Sequence, residues 1–103
     1  MKVEFKNKNL IQLYEKGQNK KYPLPDDIIK GFIRVVAILE AASDIYDLWK
    51  SPSLNFKSLK ECKNRYSARI SGKYRVEMEI NWKNEAKTIG NITIIDISSH
   101  YGD

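Results

Sequence analysis

The hydrophobic pattern of the chain changes period once, near Pro52. Before it, apolar residues recur at helical spacing; after it, they alternate. The first residues are an exception: Lys2–Phe5 reads as a short strand with Val3 and Phe5 on one face. Leu10, Leu13 and Tyr14 then fall at i, i+3 and i+4, which predicts an amphipathic helix. Asn7 or Asn9 suits its start and Gly17 its C-terminal stop. Gln18–Leu24 is a polar, lysine-containing loop. Pro25-Asp26-Asp27 opens a second helix, with the acids at the positive end of its dipole. Its stripe is Ile28, Ile29, Phe32, Ile33, Val36, Leu39 and Ala42, at the spacing of a core-facing side. Gly31 lies inside this helix at a cost of about 1 kcal/mol relative to alanine, which close packing against the first helix would explain. Ser43 is the expected cap of a short third turn, Asp44–Trp49, that Ser51-Pro52 ends.

In the second half, Tyr66, Ala68 and Ile70 alternate with Arg65, Ser67 and Arg69. Tyr74, Val76, Met78, Ile80 and Trp82 alternate with Arg75, Glu77, Glu79 and Asn81. After a turn at Lys83–Lys87, Thr88–Ile97 is apolar on both faces, which suits a central strand. The expected fold class is α+β. A small antiparallel sheet, made of the short N-terminal strand and three C-terminal strands, carries two N-terminal helices on one face. The expectation is one domain over residues 1–103.

Strand register follows from keeping apolar faces together. A two-residue Gly72-Lys73 loop would set Ile70 opposite Arg75, core against charge. A three-residue loop, Ser71 to Lys73, pairs Ile70 with Tyr74 and Ala68 with Val76. Arg65 then faces Glu79, Ser67 faces Glu77, and Arg69 faces Arg75. The first is an ordinary surface ion pair. The last sets like charges opposite, which costs some tenths of a kcal/mol; a phosphate between two guanidinium groups would reverse that, and the alternative is that both side chains splay into solvent or that Glu77 bridges them diagonally. Pairing Trp82 with Thr88 sets Arg75 opposite Ile95 and Tyr74 opposite Asp96. Ser98, Ser99, His100 and Tyr101 follow at the same end of the sheet.

Charge sharpens this picture. The chain nets +5, yet Lys57 to Arg75 alone nets +6 through Lys57, Lys60, Lys63, Arg65, Arg69, Lys73 and Arg75 against Glu61. A local basic patch calls for an anionic partner, nucleic acid first among them; the alternative is a solvated face that serves solubility. Cys62 is the single cysteine and has no second thiol or neighbouring histidine to hold a metal, so no metal or cofactor is expected. No apolar run spans a membrane and the start reads as no signal peptide, which fits a cytoplasmic protein with no membrane partner.

Cations, hydroxyls and one histidine suit metal-free RNA cleavage, in which the 2′-hydroxyl is the nucleophile. His100 is the candidate base or acid. Tyr101 is its partner or a base-stacking surface. Arg75 and Arg69 would hold the equatorial phosphate oxygens. Lys57, Lys60, Lys63, Arg65 and Lys73 form the candidate RNA- or ribosome-binding set, although Arg65 has Glu79 as an expected partner. Asp96 either orients His100 or lies in the sheet.

These residues carry a resemblance. Leu13 to Gly17, Leu59-Lys60, Arg65-Tyr66-Ser67-Ala68-Arg69-Ile70, Lys73-Tyr74-Arg75-Val76 and the closing Asp96-Ile97-Ser98-Ser99-His100-Tyr101 together resemble toxins of the RelE/ParE superfamily, especially its HigB-like branch. The resemblance implies a ribosome-dependent mRNA endonuclease that contacts ribosomal RNA. It also implies neutralisation by a co-expressed HigA-like antitoxin with a helix-turn-helix domain. Arg75 matches the family's phosphate-stabilising arginine, and His100 and Tyr101 its C-terminal catalytic pair. Lys57 and Lys60 match its basic loop. This chain departs from the His-Pro-Leu-Lys-Gly loop of many members, reading Lys57-Ser58-Leu59-Lys60-Glu61, and ends in Ser99-His100-Tyr101 where many end in Asp-Tyr-His. The alternatives are a ParE-like toxin that binds gyrase and a non-catalytic RNA-binding module.

Overall fold

The computed structural model describes residues 1–99. The elements run β1 (Val3–Phe5), α1 (Lys8–Lys16), α2 (Asp26–Ala41), α3 (Ile45–Lys50), a 3-10 turn at Pro52–Leu54, β2 (Lys57–Ser58), β3 (Arg65–Ser71), β4 (Tyr74–Trp82) and β5 (Gly90–Ser98). The strands form one sheet in the order β1-β5-β4-β3-β2. This is the expected α+β fold, with β5 flanked on both sides as its two-sided apolarity requires. Among the described residues no helix is long and apolar enough to cross a membrane.

Two features extend the expected sheet. β1 pairs with β5 in parallel, Val3 with Ile92 and Phe5 with Ile94. A fifth strand, β2, pairs Lys57 with Ser67 and Ser58 with Tyr66 at the far edge. Two residues hold no period, so alternation cannot reveal such a strand.

Local chemistry explains the helix ends. Asn7 caps α1, its side-chain oxygen accepting from the Leu10 amide at 3.0 Å. Gly17 closes it in the left-handed region at φ 73°, where its amide reaches the Leu13 carbonyl. For α3 the cap is Asp44, whose carboxylate accepts from the Tyr46 and Asp47 amides. Ser43, the expected cap, instead donates its backbone amide to the Asp47 carboxylate at 2.8 Å.

Leu10 and Leu13 of α1, Phe32, Val35, Val36 and Leu39 of α2, and Leu48 of α3 are fully buried with Ala68, Val76, Met78, Ile80, Ile92 and Ile94 of the sheet in one core. Gly31 is explained by a strand and not by α1: a Cβ there would lie 2.6 Å from Ile70 Cγ2. α2 therefore rests directly on β3. Its Arg34 guanidinium also donates to the Ile70 carbonyl at 3.3 Å.

Ile70 is where the hairpin register corrects the sequence argument. Arg65↔Glu79, Tyr66↔Met78, Ser67↔Glu77, Ala68↔Val76 and Arg69↔Arg75 pair as expected. The loop, however, is Gly72-Lys73, with Ser71 paired to Tyr74 and the register shifting between Arg69 and Ser71. A bulge at Ile70 lets a two-residue loop coexist with matched apolar faces. At this bulge Arg34 bonds the Ile70 carbonyl.

The β4–β5 register also differs. Trp82 pairs with Gly90, not Thr88, because the Asn84 side chain binds the Thr88 and Ile89 amides and holds a longer loop. A second bulge, between Glu77 and Met78, leaves Ile95 without a partner. Arg75 therefore faces Ser98 and not Ile95, and Asp96 faces Glu77 and not Tyr74. The bulge also returns Ile97 to the side of its partner Val76, where it packs on the core.

Two stability measurements check these contacts. Gly31→Ala gains about 1 kcal/mol of helix propensity but overpacks Ile70 by about 1–3 kcal/mol, so urea denaturation should show a net loss near 1 kcal/mol; a gain would mean α2 does not rest on Ile70. Asp44→Ala should lose about 1 kcal/mol while Ser43→Ala stays within a few tenths; the reverse ranking would refute the cap assignment.

Candidate nucleic-acid interface

The sheet face opposite the helices carries the charged side chains of β3 and β4, and Arg75 is its centre. Its side chain is 0% exposed, the largest fully buried side chain among the described residues. Nε donates to Ser67 Oγ at 2.9 Å, and Nη2 donates to the Ser67 carbonyl at 3.2 Å and to the Asn55 carbonyl. A buried cation without such partners would cost several kcal/mol. Asn55 adopts the left-handed region at φ 41° just ahead of β2. One guanidinium thus joins β4, β3 and the segment entering β2.

This answers how Arg69 and Arg75 share a register position. Arg69 is exposed, while Arg75 bonds to Ser67 and Asn55. The neutral acceptors offset the like-charge cost within the protein itself. Ser67 and Asn55, as partners of Arg75, are what the residue pattern did not reveal. The signal for Ser67 was a small hydroxyl on an otherwise charged face; a backbone carbonyl such as that of Asn55 leaves no trace in side-chain pattern.

The lysines surround this floor. Lys57, Lys60, Lys63 and Lys73 are all exposed. Lys60 and Lys63 stand on a closed turn: the Leu59 amide reaches the Arg65 carbonyl at 2.8 Å and the Cys62 amide the Leu59 carbonyl at 3.1 Å. Asn64, left-handed at φ 60°, ends the turn and accepts the Trp82 indole N–H at 3.2 Å. Arg65 pairs with Glu79 at 3.4 Å, as expected. A groove of about 440 Å³ runs between this turn and the sheet, lined by residues that include Ser58, Lys60, Cys62, Arg65 and Glu77.

Tyr66 sits on the other face, stacked on Phe56 at 5.3 Å and edge-on to Trp82. Burial pushes its hydroxyl pKa up, so it stays neutral at physiological pH. Asp96 accepts from the Tyr22 hydroxyl at 3.1 Å and from the Ile97 amide at 2.8 Å. Burial, then the Asp96 charge, raises the Tyr22 pKa. His100 and Tyr101 lie outside the described residues. Ser98, the last residue of β5, faces Arg75 two positions before His100 in the chain.

The comparisons agree with this architecture. A solved structure, the YoeB/ParE toxin from Agrobacterium tumefaciens, matches 98% of this chain and 100% of its own length at TM-score 0.62 and 14% identity, a likeness of fold. No curated protein matches the chain. The family of HigB-like toxins, described as RelE-like toxins of type II toxin–antitoxin systems, matches residues 3–97. With nearly the whole chain matched, the protein belongs to the HigB-like toxin family, within the RelE/ParE superfamily, and is a toxin of a type II toxin–antitoxin system.

Proposed function

We propose that this toxin is a ribosome-dependent mRNA endonuclease whose nucleophile is the 2′-hydroxyl of the RNA itself, acting in the cytoplasm without a metal. The observation that carries the reading is the row Arg69, Arg75 and Ser98 across three strands, with His100-Tyr101 next in sequence after Ser99. Family membership supports it, because a type II toxin has an antitoxin as partner and an essential process as target. A HigA-like helix-turn-helix protein is the expected antitoxin.

The chemistry assigns one task to each group. The 2′-hydroxyl loses its proton, its oxygen forms a bond to phosphorus, and the P–O5′ bond breaks. The 5′-oxygen takes up a proton, leaving a 2′,3′-cyclic phosphate and a 5′-hydroxyl. His100 and Tyr101 carry the two proton transfers. Arg69, exposed, meets the phosphate. Arg75, fixed by Ser67 and Asn55, supplies preorganised positive charge from a water-excluded position, where it acts most strongly on developing negative charge. Lys57, Lys60, Lys63 and Lys73 grip mRNA or ribosomal RNA, and Arg65 adds to them beyond its pair with Glu79.

Controlled expression with mapping of mRNA 5′ ends tests the reading. His100→Ala should abolish new 5′ ends and lower cleavage by about 10²-fold or more. Because Arg75 is buried, Arg75→Lys is the informative variant: folding retained by circular dichroism, cleavage reduced by about 10²-fold. Growth inhibition that survives both substitutions would defeat the nuclease reading and favour a gyrase-binding toxin.

A further inference from the structure

The charge total hides a second basic surface. Residues 6–21 carry Lys6, Lys8, Lys16, Lys20 and Lys21 against Glu15, a net of +4. With +6 on Lys57 to Arg75, the remainder of the chain nets −5. Positive charge is therefore concentrated in two places, and the sequence pattern accounts for only one.

The second place is a built groove. It has a volume of about 650 Å³ between the outer side of α1 and the loop that follows, lined by residues that include Asn9, Gln12, Lys16, Asn19, Lys20 and Lys21. The Asn19 amide donates to Asn9 Oδ1 at 3.1 Å and to Gln12 Oε1 at 2.6 Å. Its oxygen accepts from the Lys21 amide at 2.8 Å, and its carbonyl accepts from the Tyr22 amide. The backbone that bears Lys20 and Lys21 is thus pinned to the helix, which removes part of the ordering cost of binding. Among the described residues no ion pair engages Lys16, Lys20 or Lys21, and all three are exposed. The C-terminus of α1 offsets only about half a charge, leaving more than two positive charges at the groove.

The lining selects the partner. Every side chain that lines the groove is Asn, Gln or Lys. A docked protein segment takes its affinity largely from aromatic or aliphatic anchors, and no aromatic or aliphatic residue lines this groove to meet them. Lysines for phosphates, with amides for sugar hydroxyls and base edges, fit a nucleic-acid backbone. α1 packs beside β1, at one edge of the sheet, while the Lys57–Lys63 surface lies at the β2 edge. Four strand spacings, about 19 Å, separate the two edges, too far for both to hold one phosphate.

We propose that the α1 groove is a second RNA-backbone site, separate from the cleavage face, that anchors the toxin to a different stretch of RNA. Lys16, Lys20 and Lys21 bind the phosphates. Asn19 is a positioning residue that holds the loop. The site goes beyond the nuclease reading and stands without it, since it concerns binding and not cleavage.

Binding of the full chain to a 2′-O-methylated single-stranded RNA, which has no 2′-hydroxyl to react, is measured across salt concentrations. Replacing Lys16, Lys20 and Lys21 together by Ala should weaken binding about 10-fold or more near 0.1 M salt and flatten the log K against log salt slope by about 2. The same three changed to Arg should keep the slope. Lys57→Ala with Lys60→Ala should flatten it independently, so the two surfaces add. An unchanged slope in the triple Ala variant, with the Lys57/Lys60 variant flattened, overturns the groove and leaves the cleavage-face reading intact. The opposite pattern keeps the groove and removes RNA binding from the cleavage face. A triple Ala variant that binds RNA normally but fails to form the antitoxin complex makes the groove a protein dock and overturns the proposal.

Discussion

A single buried guanidinium organises the face on which this toxin's chemistry is expected. Removing Arg75 from water costs several kcal/mol, and each hydrogen bond to a charged group returns about 1.5–3 kcal/mol. Ser67 supplies two acceptors and Asn55 a third. Those bonds hold only if β3, β4 and the approach to β2 keep their register and Asn55 its left-handed turn. The charge and the sheet edge therefore stabilise one another. Breaking the set by removing one partner would leave a buried cation with too few acceptors, which costs more than any surface pair such as Arg65–Glu79 is worth.

Two bulges set where that face ends. The one at Ile70 lets a tight Gly72-Lys73 turn follow a strand whose apolar residues still meet Val76 and Met78. α2 braces it through the gap at Gly31 and the Arg34 bond to the Ile70 carbonyl. The one at Ile95 advances β5 by a residue, so that Ser98 stands beside Arg75 and Ile97 returns to the core. Without them the alternation of either strand would carry a charged residue inward or an isoleucine outward. The bulges thus serve packing and placement at once.

Charge is distributed with similar economy. Residues 22–56 and 76–103 carry the net negative remainder, and the positive charge is gathered in residues 6–21, beside the β1 edge of the sheet, and in residues 57–75, toward its β2 edge. One edge holds its lysines on a closed turn, the other on a loop pinned by Asn19. Each presents its cations from a backbone held by hydrogen bonds, with four strand spacings between the two edges.

The amino-acid sequence by itself determined the element order, the core stripes of both long helices, the pairing of Arg69 with Arg75 and of Arg65 with Glu79, and the family resemblance. These follow from local periodicity and from keeping apolar faces together, which act along a strand or a helix. Tertiary structure alone decided the bulges, the two-residue strand β2, the partner of Gly31, and the fate of Arg75. A bulge depends on what packs against it, as Gly31 and Arg34 of α2 do at Ile70, and no residue advertises that in advance. Arg75 read only as a charge on the polar face of the sheet, because alternation assigns faces, not depth. Its burial depends on Ser67 and on a backbone carbonyl twenty residues upstream, which only the folded chain brings within reach.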